Sequence, residues 1–166
     1  HYLTYKAQKI GLYPEMILAG RRVNENVSKL ISQKIIKLLN KTKFSKNVVE
    51  ILVLGVTFKE NVSDIRNSKV PVLASELREY GCNVSLHDPL ASKKEFTEEY
   101  GLKLCSNGVF NKQFSCVILA VPHDKYLNKL RSTLHKLVKP NGVFVDLKSA
   151  INLTESETKT LKVWRL

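Results

Sequence analysis

From Asn47 onward, short β-branched runs alternate with stretches of helical periodicity, and this alternation restricts the fold more than any other property of the chain. The first run, Val48–Thr57 (VVEILVLGVT), is apolar almost without interruption and reads as a strand buried on both faces. A helix capped by Asn67 or Ser68 follows it, tolerates Pro71 in its first turn, runs through Tyr80 and ends at Gly81. Asn83–His87 (NVSLH) is a second strand, stopped by Asp88-Pro89. Glu95–Tyr100 is a short helix closed by Gly101, and Leu102–Cys105 a short strand. Ser115–Val121 (SCVILAV) is a central strand, a helix covers Lys125–Leu137, and Pro140-Asn141-Gly142 turns the chain into a last strand, Val143–Leu147. Strands separated by helices pair in parallel, so the expected fold class is α/β with a doubly wound parallel sheet.

Ahead of the sheet, Ile17, Val23, Val27, Leu30, Ile31, Ile35 and Leu38 recur mostly at three- and four-residue spacing between Pro14 and Asn40. This is a long amphipathic helix whose apolar stripe needs a cover, expected from a neighbouring subunit or an upstream domain. The chain opens on His1, not Met, and no signal-peptide pattern follows, so we expect a fragment or a processed chain. No apolar run approaches the roughly 18 residues that span a bilayer. Cys82, Cys105 and Cys116 are odd in number and show no CxxC spacing. They indicate neither a disulfide framework nor a zinc site, and the expected compartment is the cytoplasm. Lysine and arginine number 27 against 15 acidic residues, a net charge of +12 that favours anionic partners. The lysines are scattered, which fits simple solubility; the partial exception is Lys29, Lys34, Lys37, Lys41, Lys43 and Lys46, at and beyond the helix end.

Open parallel sheets bind ligands beyond the carboxyl ends of their strands. A dinucleotide site there would show G-x-G-x-x-G after the first strand, but the chain has Gly55 alone, followed by a polar loop carrying Lys59 and Arg66. The sheet is therefore Rossmann-like without the usual pyrophosphate cradle. A phosphate in this loop would meet side-chain cations, Lys as a point charge and Arg as a fork. Equally, Lys59 and Arg66 can be solvated charges paired with Glu60 or Asp64, and Lys148 can be a plain surface lysine. His123 has no partner visible in sequence and reads as a helix cap or a solvent-exposed side chain. Asp88 stands where Rossmann domains place a ribose-binding acid, yet Asp88-Pro89 reads better as a turn. No metal cluster, nucleophile–base pair or aromatic nucleic-acid platform is legible.

Residues 55–68 (GVTFKENVSDIRNS) closely resemble the G-x-x-[FY]-K-x-[DN]-x-x-D-x-R-x-S signature of the UDP-glucose/GDP-mannose dehydrogenase family. YLTYKA (Tyr2–Ala7) and PEMILAGRRVNEN (Pro14–Asn26) resemble the end of its central domain, and KVWRL fits the bacterial branch that oxidises UDP-N-acetylhexosamines for surface polysaccharides. The resemblance implies residues 1–45 as the end of a central helical, dimer-forming domain and 46–166 as a C-terminal UDP-sugar-binding domain. It also implies a homodimer through the 14–40 helix. The activity implied is an NAD-dependent oxidation of a sugar C6 alcohol to a carboxylate, through a cysteine thiohemiacetal and thioester. By the same resemblance Phe58, Lys59 and Lys148 contact the UDP-sugar and Arg66 faces NAD, while the catalytic cysteine lies upstream of the position matching His1. The chain alone is then catalytically inert, with no catalytic residue, no metal, no nucleic-acid partner and no membrane attachment. UDP-glucose or GDP-mannose as substrate, or a basic α/β module for nucleic acid, are the competing readings.

Overall fold

The computed structural model describes residues 2–11, 13–41, 48–154 and 161–166. Two helices come first, α1 (Tyr2–Lys9) and α2 (Glu15–Asn40). The strands are β1 (Glu50–Leu54), β2 (Asn83–His87), β3 (Phe114–Leu119), β4 (Val138–Asp146) and β5 (Lys162–Arg165). Helices α3 (Val70–Glu79), α4 (Lys93–Tyr100) and α5 (Asp124–Leu137) connect them, with a 3-10 turn at Asn107–Asn111 before β3. All strand pairs are parallel and the order is β2-β1-β3-β4-β5. A lone parallel bridge, Leu86↔Leu104, marks the outer side of β2, all that forms of the strand expected at Leu102–Cys105.

The period-2 alternation of the strands divides the core into two layers. Ile51, Val53, Cys116, Ile118, Val143 and Val145 face α3 and α4, whereas Leu52, Leu54, Val117, Leu119 and Phe144 face α5. Every residue of β3 is buried, which is why its sequence shows no polar alternation.

Helix α2 departs from the expectation of an external cover for its whole stripe. Its second half covers the sheet of its own chain: Ile31, Ile35 and Leu39 are buried in the layer that includes α3. Its first half remains open, with Met16, Ile17 and Val23 exposed. The expected domain boundary at 45/46, together with Lys43 and Lys46, lies outside the described residues.

Three local expectations also change. Asn67 has φ +58 and does not begin a helix; Lys69 is the cap position of α3, and the Ser68 hydroxyl accepts from the Val70 N–H. Pro140-Asn141-Gly142 lies inside β4 as a bulge, where the register against β3 shifts between Phe114 and Cys116 and Asn141 has φ +62. Lys162–Arg165 forms an edge strand that short length and mixed polarity hid from a pattern reading.

Candidate functional site

The chain leaves β1 toward β2 on one side and leaves β3 toward β4 on the other, so a crevice opens between the carboxyl ends of β1 and β3. The two ends touch through backbone. Gly55 has φ +87, and a Cβ there would lie 2.4 Å from the Val121 carbonyl oxygen. Both features require glycine, so this one glycine serves strand contact rather than phosphate approach.

Beyond Gly55 the polar loop folds on itself. The Phe58 N–H donates to the Asp64 carbonyl at 2.8 Å, and the Tyr100 hydroxyl donates to the Ile65 carbonyl at 2.7 Å. A cavity of about 300 Å³ lies between this loop and α2. Val27 and Ile31 of α2 give it an apolar wall, Phe58 and Val121 stand at the sheet edge, and Lys69 and Lys148 supply the cations of its lining. The Ser28 hydroxyl ties α2 to the Lys69 carbonyl at 3.2 Å.

Of the four site residues named from sequence, Phe58 and Lys148 line this cavity. Lys148 is aimed by Asp146, whose buried carboxylate accepts from the Lys148 and Ile151 backbone N–H groups. Its ammonium is paired with Glu60, and that hydrogen bond is the main reason the Glu60 carboxyl sits below its ordinary range. Lys59 is exposed beside the cavity without lining it, and its carbonyl accepts from the Thr57 hydroxyl at 3.0 Å. Arg66 lies outside the cavity and turns to solvent, its guanidinium forked onto Asp64 at 2.9 and 2.8 Å. That fork holds the Asp64 carboxyl down at about 2. Arg66 thus pairs with Asp64 as expected, whereas Glu60 pairs with Lys148 and not with Lys59.

His123 is neither exposed nor unpartnered. Its ring is fully buried, with Nε2 3.0 Å from Asp88 Oδ2 and 3.2 Å from Thr57 Oγ1, while Nδ1 accepts the Asn61 N–H at 2.9 Å. Asp88 forms the expected turn through the Leu90 and Ala91 N–H groups and also accepts from the Val56 N–H at 2.7 Å. Burial alone would raise its carboxyl, but these bonds outweigh it and leave the group below its ordinary value. A carboxylate so saturated has no lone pair to offer a ribose. Sequence reading missed Lys69 and the α2 wall. The signal for the latter was Ser28, a polar residue inside an apolar stripe.

Burial pushes the thiols of Cys82 and Cys116 up, which disfavours the thiolate a nucleophile needs. Among the described residues no group of His, Cys, Asp or Glu is arranged to hold a metal, and no helix is long and apolar enough to cross a membrane. An apolar-walled cavity with a cationic rim suits a ligand with a flat ring at one end and phosphates at the other.

Residues 52–153 match the UDP binding domain of the UDP-glucose/GDP-mannose dehydrogenase family. Protein CapL of Staphylococcus aureus is 42% identical over all 166 residues, and the match covers 38% of that protein. UDP-N-acetyl-D-glucosamine 6-dehydrogenase of Salmonella typhi is 36% identical over 159 residues, 96% of this chain and 37% of the relative. The chain therefore spans well under half the length of these relatives. In fold it is similar to the UDP-N-acetyl-mannosamine dehydrogenase Cap5O of Staphylococcus aureus, with a TM-score of 0.70 at 18% identity over 91% of this chain and 33% of that one.

Proposed function

We propose, from the premise that the chain belongs to the UDP-glucose/GDP-mannose dehydrogenase family, that it is the nucleotide-sugar-binding part of an NAD-dependent UDP-sugar 6-dehydrogenase. The substrate class is a UDP-N-acetylhexosamine, oxidised at C6 to the uronic acid for surface polysaccharide. The observation that carries this reading is the cavity at the β1/β3 crevice, lined by both Phe58 and Lys148 of the segment matched to a UDP binding domain. The apolar wall takes the uracil and the cations take the pyrophosphate. Lys59, exposed beside the cavity, is free to swing toward the same phosphates.

The residues present do not fit NAD as a resident group. The loop after β1 has one glycine, and Val121 closes the space over it. In this reading NAD is held outside this chain, and the exposed Arg66 faces it across a cleft. Residues 1–45 are the end of the central helical domain, and residues 46–166 are the UDP-sugar-binding domain. The exposed first half of α2, with Met16, Ile17 and Val23, supports a homodimer through the 14–40 helix. The cytoplasm, where nucleotide sugars are made, is the compartment.

Calorimetric titration tests the reading. The chain should bind UDP and UDP-N-acetylglucosamine in preference to GDP and to an RNA oligonucleotide. Lys59→Ala and Lys148→Ala should each weaken UDP binding by about ten- to a hundredfold, the loss of a charge-assisted bond of about 1.5–3 kcal/mol. Arg66→Ala and the exposed control Lys37→Ala should leave UDP binding unchanged. Salt-sensitive RNA binding with no preference for UDP, or equal small effects at all four positions, overturns it.

A further inference from the structure

The buried His123 has no part in the cation-and-cavity picture, yet three residues, Thr57, Asn61 and Asp88, converge on its ring. Its Nδ1 accepts the Asn61 N–H, so a neutral ring carries its proton on Nε2. Nε2, which bears that proton, lies 3.0 Å from Asp88 Oδ2 and 3.2 Å from Thr57 Oγ1, and the Thr57 hydroxyl in turn donates to the Lys59 carbonyl at 3.0 Å. The loop is thus gripped at Lys59 and Asn61, on either side of Glu60, by atoms that trace back to one ring.

The rest of the arrangement keeps that ring still. Asp88 is fixed by the Val56, Leu90 and Ala91 N–H groups. The His123 carbonyl accepts from the Tyr126 and Leu127 N–H groups at the start of α5, and the Asp124 N–H donates to Asn61 Oδ1 at 3.0 Å. Asn61 has φ +58, a conformation a non-glycine residue holds only when its surroundings impose it.

We propose that His123 is a positioning residue for the nucleotide-sugar site: its ring clamps residues 57–61, so that Phe58 and Lys59 are presented to the ligand in one fixed arrangement. The inference rests on the UDP reading for its ligand, but its geometry does not. Without the clamp the loop samples many conformations and binding carries the cost of ordering it, so affinity falls though no contact residue has changed.

Two isosteric variants separate the two sides of the ring. His123→Asn keeps an oxygen where Nδ1 accepts the Asn61 N–H but loses the reach to Asp88. His123→Gln keeps a polar group near Asp88 and releases Asn61. Both leave a buried group unpaired, so their urea midpoints should fall together. UDP affinity, read by calorimetry on the chain as it stands, should stay within about threefold for His123→Asn and fall about tenfold for His123→Gln, the scale of one buried hydrogen bond. Hydrogen exchange should find the Asn61 amide protected in the unaltered chain and in His123→Asn, and open in His123→Gln. Should either variant fail to fold, Thr57→Val removes the grip on the Lys59 carbonyl and should weaken UDP binding several-fold with the fold retained. Affinity that tracks stability equally in both His123 variants, or an Asn61 amide protected in all of them, overturns the proposal. Failure of the unaltered chain to bind UDP sinks the nucleotide reading alone, since the Asn61 exchange pattern still decides whether His123 holds the loop.

Discussion

Glu60 occupies the Lys148 ammonium, so a phosphate that is to meet Lys148 must displace a carboxylate. Glu60→Gln removes that competitor and should tighten UDP binding several-fold by calorimetry. The same pair gives a pH signature. The folded carboxyl is depressed below its ordinary 4.5, so its contribution is complete above that value and is lost as pH falls through the lowered one. The unfolding free energy of the parent, from urea titration, should exceed that of Glu60→Gln near neutrality by less than about 1 kcal/mol, as befits a half-exposed pair, and the gap should close in acid. Gly55→Ala should do far more damage. It adds a Cβ against the Val121 carbonyl at φ +87, and the combined strain and overlap should cost about 3 kcal/mol or more in thermal or urea unfolding. At this scale Phe58, Lys59 and Arg66 stand out in the sequence because a dense motif carries them, and Lys148 because it closes a strand end; of the four, Phe58 and Lys148 line the cavity. The roles of His123 and Asp88 were not, since their partners lie 62 and 35 residues away and only the closed sheet brings them together.

The helix α2 belongs to two surroundings at once. Its stripe was plain in the sequence, but periodicity alone does not say which cover each turn receives. Ile31, Ile35 and Leu39 pack on the sheet layer, so residues up to 40 are not dispensable to the α/β unit. Removing residues 1–40 should therefore unfold the chain or leave it with a loosened core by near-UV circular dichroism, whereas removing residues 1–25 should spare it. Ile35→Ala should cost about 2–5 kcal/mol in chemical unfolding, the range for truncating a fully buried aliphatic side chain. The strands of the central sheet were readable because burial on both faces demands unbroken apolar runs. Edge strand β5 was not, because a strand of four residues with half its surface in solvent needs no such run. The bulge in β4 looked like a turn because Pro-Asn-Gly serves both purposes: each needs a residue at positive φ.

At the scale of the molecule, the strand order creates the crevice, the glycine contact between β1 and β3 sets its depth, and α2 closes one side into a cavity. The sheet and its ligand-binding edge follow from strand–helix alternation, so both were legible. The cavity was not, because one wall, Val27, Ser28 and Ile31, comes from a helix that precedes the sheet by some length of chain. The net charge of +12 does not by itself choose a ligand. The proposed UDP site rests instead on a cavity that holds Phe58, Lys69 and Lys148 together. Titrating UDP into the isotopically labelled chain and following backbone amide resonances tests this most directly. The account predicts saturable shifts concentrated at Phe58–Asn61, Ser68–Lys69 and Leu147–Lys148, with α5 and β2 unmoved outside the His123–Asp88 clamp. Shifts that never saturate, or that spread over exposed lysines such as Lys37 and Lys125 while the cavity residues stay still, would contradict it.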